Sequence, residues 1–415
     1  AFLPFLSFFS LLPMEIDPRL TGPSATLKAL VYSNQTGLGP DGKPAGLLDP
    51  ARPPGVLYLS HRLLVEPDNL RPLNHPLHTN DPVHSMTTTD AANRALGISG
   101  ELQLQDRSVL CLLDGMALAY RGHFALINNP VMNAKGVNTS APLVFTNTLL
   151  EIIDRFEPTH LAAVFDTPKP THRHEAFPEY KAQRDKMPED LGAAIPYVIS
   201  VCEGFSVPVL RVDGWEADDV IGTLAREAEA AGVTTYMITP DKDYAQLVDE
   251  HTFLFRPGRG ATPPQLLGVP DVLAKWNVER IDQVVDVMGL MGDTSDNIPG
   301  VPGIGEKTAQ KLIAEFGSVE SLLERVEELK GKRKQTLIDN HDQALLSKQL
   351  VTIDCSVPLD TNVNQLRRQP ADASALKGLF AELEFNALGQ RLFGKDYEMV
   401  VQRVAAGSDA AQAGE

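Results

Sequence analysis

The stretch VLCLLDGMALAY, residues 109–120, opens with five apolar residues and sets Asp114 directly behind them. A run that short and that apolar reads as a buried strand, with its acid at the C-terminal end. The pattern returns twice. HLAAVFDTPKP (160–170) delivers Asp166, and TTYMITPDKDYAQLV (234–248) delivers Asp241 and Asp243. Strands of one parallel sheet bring such ends to a common edge, where open α/β folds place their sites. Two further clusters join them: Glu216, Asp218 and Asp219 in GWEADD, and Asp293 and Asp296 in GLMGDTSDN. A single Asp after a strand is usually a turn or cap residue. Nine acids in five clusters are a joint pattern, and massing them is costly unless cations sit between them. Oxygen-only donors suit Mg²⁺ or Mn²⁺ rather than zinc, and the pattern points to two-metal phosphodiester chemistry.

Directly after Asp296 comes NIPGVPGIGEKTAQKLIAEFGS (297–318), with glycines and prolines spaced as a tight hairpin that opens into a helix. Backbone amides at such a helix start can hold a DNA phosphate without reading sequence. Upstream, FPEYKAQR (177–184) carries Lys181 and Arg184 three residues apart, which on a helix would share one face.

From about Ser108 to Leu392 these motifs, their order, and the closing LLSKQLVTIDCSVPL (345–359) resemble the 5′-nuclease family. Within it, the chain is most similar to the N-terminal 5′→3′ exonuclease domain of bacterial DNA polymerase I. The resemblance implies a structure-specific 5′→3′ exonuclease or flap endonuclease, working on DNA with a 5′ flap, a nick or a free 5′ end. An RNA primer–DNA hybrid is compatible with it. Asp114, Asp166, Glu216 and Asp218 are then assigned to a first divalent ion, and Asp241, Asp243, Asp293 and Asp296 to a second. Asp219 is an auxiliary acid. Lys181 and Arg184 would contact the scissile phosphate, and Arg173 matches a basic position of the same arch. Tyr180 is read either as a base-stacking residue or as a packed one. Gly303, Gly305, Lys307 and Thr308 fall on the DNA-gripping hairpin, and carbonyls of Val301, Gly303 and Ile304 match a K⁺ site in relatives. Two alternatives remain: a non-catalytic DNA-structure-binding protein, disfavoured by the complete acidic set, and a PIN-type ribonuclease, disfavoured by the hairpin.

The expected fold class is α/β, a mainly parallel sheet with helices on both faces, followed by a helical helix–three-turn–helix domain. Strands are expected at 109–113, 160–165, 207–211, 234–238 and 252–255, and helices at 141–155, 190–203 and 217–231. The expected divisions are an extension over 1–105, a catalytic domain over 106–265, a helical domain over 266–395 and a flexible tail over 396–415. The extension is proline-rich and lacks lasting periodicity, so it is expected to be largely disordered.

A net charge of −17 argues against a nucleic-acid partner only if charge is evenly spread, and basic groups recur at 169–186 and 307–334. Three distant cysteines make neither a disulfide framework nor a zinc spacing, and suit a reducing, intracellular setting. No apolar stretch approaches the ~20 residues of a membrane span. A monomer is expected. The apolar opening AFLPFLSFFSLLPM starts with Ala, as a fragment of a longer product would, and import into a chloroplast or mitochondrion is a reading weakened by the acids elsewhere in the leader, Glu15 and Asp17 first among them.

Overall fold

Each apolar run that ends in an acid becomes a strand of one sheet. The computed structural model describes residues 88–97 and 108–402. The leader and nearly all of the 1–105 extension lie outside those residues. In chain order the elements are α1 (Thr88–Leu96), β1 (Val109–Asp114), α2 (Gly115–Ala125), α3 (Ser140–Phe156), β2 (His160–Val164), α4 (His172–Ala176) and α5 (Glu189–Gly204). Next come β3 (Val209–Leu210), α6 (Ala217–Ala230), β4 (Thr234–Ile238), β5 (Thr252–Arg256) and β6 (Gln265–Leu267). The helical part holds α7 (Val269–Trp276), α8 (Gln283–Met291), α9 (Glu306–Phe316), α10 (Val319–Glu324), α11 (Gly331–Asp339) and α12 (His341–Val351). The chain then forms α13 (Ala373–Glu382) and α14 (Asn386–Phe393).

The six strands run in the order β3-β2-β1-β4-β5-β6. All neighbours are parallel except the edge pair β5–β6. β1 is central and buried along its whole length, as a parallel strand covered on both faces must be. Leu110 and Leu112 join one core with α6, α8, α9 and α12, while Cys111 and Leu113 join a second with α3, α5, α13 and α14. The strand order reverses between β1 and β4, which sets the crevice of the sheet beside Asp114. The expected 207–211 strand shrinks to two residues, because only Val209 and Leu210 pair with β2.

The expected divisions need correction at both ends. Residues 88–97 are not loose: Ala92, Ala95 and Leu96 are buried in the second core, and Arg368 donates to the carbonyls of Arg94 and Ala95. Helices α13 and α14 also pack there, against α5 and α1, so the chain leaves the helical domain before residue 395. The supposed tail is helical through residue 402, and Tyr397 is buried in the same core. Periodicity missed this because each piece is short and its apolar face is completed only by distant partners. Among the described residues no helix is long and apolar enough to cross a membrane.

Candidate active site

Asp114 ends β1 and caps α2, accepting the Ala117 N–H at 3.0 Å through Oδ1. Its Oδ2 accepts from the hydroxyls of Thr239 at 2.9 Å and Tyr244 at 3.3 Å. Asp166, just past β2, accepts the Ala217 N–H at 2.9 Å, the first amide of α6. That helix start also carries Glu216 and Asp218, so three chain segments meet beside β1. Asp241 and Asp243 follow β4, where Asp241 Oδ1 accepts the Asp243 N–H. Asp293 and Asp296 sit on the turn after α8, closed by paired backbone hydrogen bonds between Asp293 and Ile298.

The acids raise one another's proton affinity. Asp114 is pushed up to about 7, first by desolvation and then by the charges of Asp166 and Asp241. Asp243 is pushed up to about 8 by desolvation and its neighbours Asp241, Asp293 and Asp296. Desolvation likewise raises Asp218 well above its ordinary value. Glu216 behaves differently: desolvation would raise it, but Lys181 and Arg173 outweigh that and hold it low.

The chain's own cations occupy part of this edge. Lys181 Nζ lies 2.5 Å from Glu216 Oε1 and 3.7 Å from Asp296, and Arg184 pairs with Asp296. These two residues are not on a helix as their spacing suggested. Residues 178–183 form turns, and Lys181 has a left-handed φ of 56° while its N–H donates to the Asp296 carbonyl. Asp296 still draws both heads together.

Three assigned residues have other work. Arg173 is buried and uses all five N–H donors: on Asp219 twice at 2.7 Å, on Glu216 at 3.1 Å, and on the Leu350 and Thr352 carbonyls. No donor remains for a phosphate. Asp219 is fully buried, and its oxygens also accept the N–H groups of Glu216 and Asp354, so it is a structural counter-ion rather than a metal ligand. Tyr180 is 3% exposed, with its hydroxyl on Glu216 at 2.8 Å and on Asp296 at 3.2 Å, so its ring is packed and not offered to a base. Conversely, Thr239, Tyr244, Lys242 and Ser295 were overlooked, although each stands beside an acid already singled out.

Among the described residues no three carboxylates close on one point as a finished metal cage. The donor set nevertheless fits a hard divalent ion. It is all oxygen, it is crowded enough to need positive charge, and Asp243 Oδ1 is buried without a hydrogen-bond partner. Asp114, Asp166, Glu216, Asp218, Asp241, Asp243, Asp293 and Asp296 remain candidates to hold such ions.

The hairpin follows directly after Asp296 in the chain. An added Cβ at Gly300, where φ is 59°, would meet the Met291 carbonyl carbon at 2.6 Å, so the loop closes against the end of α8 only without a side chain. Val301 and Ile304 are buried and anchor the hairpin, while Gly303, Gly305 and Lys307 face solvent and Thr308 is half-buried. Gly305 caps α9, leaving that helix end open beside Lys307.

Residues 109–277 match the 5′-3′ exonuclease N-terminal resolvase-like domain, and residues 280–374 match the 5′-3′ exonuclease C-terminal SAM fold. The chain is 40% identical to DNA polymerase I of Bacillus subtilis over 71% of its length, covering 33% of that protein. Identity to DNA polymerase I of Bacillus caldotenax is also 40%, over 68% of this chain and 32% of the relative. The chain thus spans about a third of the length of these relatives. A zinc-bound T5 5′-exonuclease structure shares the fold, with a TM-score of 0.51 at 21% identity, over 71% of this chain and all of that one. With both domains matched in sequence order and the acidic edge assembled between them, the chain belongs to the 5′-3′ exonuclease family.

Proposed function

We propose that this protein hydrolyses DNA phosphodiesters at 5′ flaps, nicks or free 5′ ends, as a structure-specific 5′→3′ exonuclease and flap endonuclease. The observation that carries the reading is the convergence of Asp114, Asp166, Asp218 and Asp241 at the sheet's switch point, beside Lys181 and Arg184. Two Mg²⁺ or Mn²⁺ ions, when bound, would lower the pKa of a water and offset charge on the phosphate. The chain's own groups do the rest. Thr239, Tyr244 and the Ala117 amide fix the Asp114 carboxylate in one orientation. Lys181 and Arg184, held on carboxylates in the free protein, can turn their charge to an incoming phosphate and stabilise the negative charge that grows on its oxygens. The exposed Lys307 and the open start of α9 would grip the duplex backbone, aided by K⁺ on carbonyls of Val301, Gly303 and Ile304. Primer removal in replication or repair, action as a monomer and work inside an organelle belong to the same reading.

The test is cleavage of a 5′-labelled flap and a nicked duplex, with and without Mg²⁺. Metal-dependent release of 5′ products, abolished by Asp114→Asn with DNA binding retained, is expected. Binding without cleavage by the unaltered protein, at saturating Mg²⁺ or Mn²⁺, would reduce it to a DNA-structure-binding protein.

A further inference from the structure

Lys242 stands between two of the assigned acids in the sequence Asp241-Lys242-Asp243, yet no step above uses it. Its Nζ lies 2.6 Å from Asp293 Oδ2. The other oxygen of Asp293 accepts the Ser295 N–H at 2.8 Å and the Ser295 hydroxyl. Asp293 is buried and both its oxygens are engaged. Across the same cluster, Asp243 Oδ1 is buried with no partner. One carboxylate is therefore open to a cation while its companion is closed off by an ammonium. Desolvation would raise Asp293, but Lys242 and Ser295 outweigh it and hold the carboxyl below its ordinary value.

We propose that Lys242 is a resident stand-in for the second divalent ion, which must displace its ammonium from Asp293 before using that carboxylate. The lysine stabilises the acidic edge in the metal-free protein. By competing, it makes this the weaker and more readily exchanged of two cation positions. This rests on the two-metal reading above, and it assigns that site's affinity to a residue of the chain rather than to ligand count alone. The geometry allows the exchange, because the Lys242 side chain is 38% exposed and its stem is not locked in the core.

Opposite unit charges in contact near a protein surface attract by more than one decade of affinity, so losing this competitor should tighten the weaker class by about tenfold or more. The measurement is Mn²⁺ binding to the whole chain without DNA, with free ion counted by electron paramagnetic resonance. Lys242→Met and Lys242→Gln should both tighten the weaker class, and Lys242→Arg, which keeps the charge, should leave it near the unaltered value. Thermal melts of each variant check folding, and Lys242→Gln retains a donor to Asp293 should Lys242→Met not fold. Unaltered protein with two Mn²⁺ classes, but Met and Gln variants whose weaker class is unchanged or weaker, would overturn the inference and leave Lys242 a tether. Unaltered protein that binds no Mn²⁺ would overturn the two-metal reading and this inference with it.

Discussion

Replacing Arg173 with Met should cost stability on a scale that separates a buried ion pair from a DNA contact. Arg173 is 2% exposed and Asp219 is fully buried, so the change strands a carboxylate in the core. Only the N–H groups of Glu216 and Asp354 would remain to it. Removing one partner of a buried, hydrogen-bonded pair costs about 3–5 kcal/mol. Arg184→Met provides the contrast, because its side chain is 52% exposed and solvent screens much of its pairing with Asp296, so its loss should cost only about 1 kcal/mol. Asp219→Asn alone should also destabilise, but the double variant should lose at least about 2 kcal/mol less than the sum of the singles, since both remove one interaction. Urea unfolding of the unaltered protein and these four variants gives the numbers directly. Arg173→Met within about 1 kcal/mol of the unaltered protein, or additivity within about 0.5 kcal/mol, would refute the assignment and return Arg173 to the DNA.

Gly300→Ala should disrupt the hairpin and weaken duplex binding severely, because its Cβ would run into the backbone at Met291. Gly303→Ala meets nothing within 4 Å and should cost only the left-handed conformation, about 1 kcal/mol, in a thermal melt. Truncation to begin at residue 98 should be less stable to urea than truncation to begin at residue 80, since only the former loses buried Ala92, Ala95 and Leu96. The metal-free protein should lose stability as pH rises from about 4 to 8. Asp114 and Asp243, at about 7 and about 8 when folded, lie above their unfolded values, so the folded state binds more protons across that window. An Asp114→Asn/Asp243→Asn variant should show a shallower fall between pH 5 and pH 8, and equal urea midpoints shifts in both proteins would count against the cluster's strain.

The strands and acids of the sheet edge were legible because each is local: an apolar run, then a carboxylate, with the parallel topology supplying the convergence. Tyr180, open between a stacked base and a packed ring, proves to be packed, while Arg173 and Asp219 were misread for the opposite reason. Their motif placed them near the site, but whether a side chain faces solvent or core depends on Leu350, Thr352 and Asp354, which are far away in sequence. Lys181 and Arg184 show a milder case. Their shared direction was anticipated, but it comes from a turn gripping the Asp296 loop rather than from helical spacing. Helices α1, α13 and α14 fell outside the expected divisions because apolar faces only two to three turns long carry little periodic signal.

The return of the chain into the second core changes what kind of object the helical domain is. The chain departs the sheet at β6 and comes back where the Arg368 N–H reaches the Thr159 carbonyl and the Asp372 N–H reaches Gly204. The module is therefore a loop sewn in at both ends, like a handle and not a flag. A single proteolytic nick within it leaves each fragment still stitched to the sheet, so the two pieces should co-elute under native conditions and part only in denaturant. For the same reason, any motion of the hairpin relative to the acidic edge must flex two anchored strands of chain at once, which favours small, concerted displacement over free swinging.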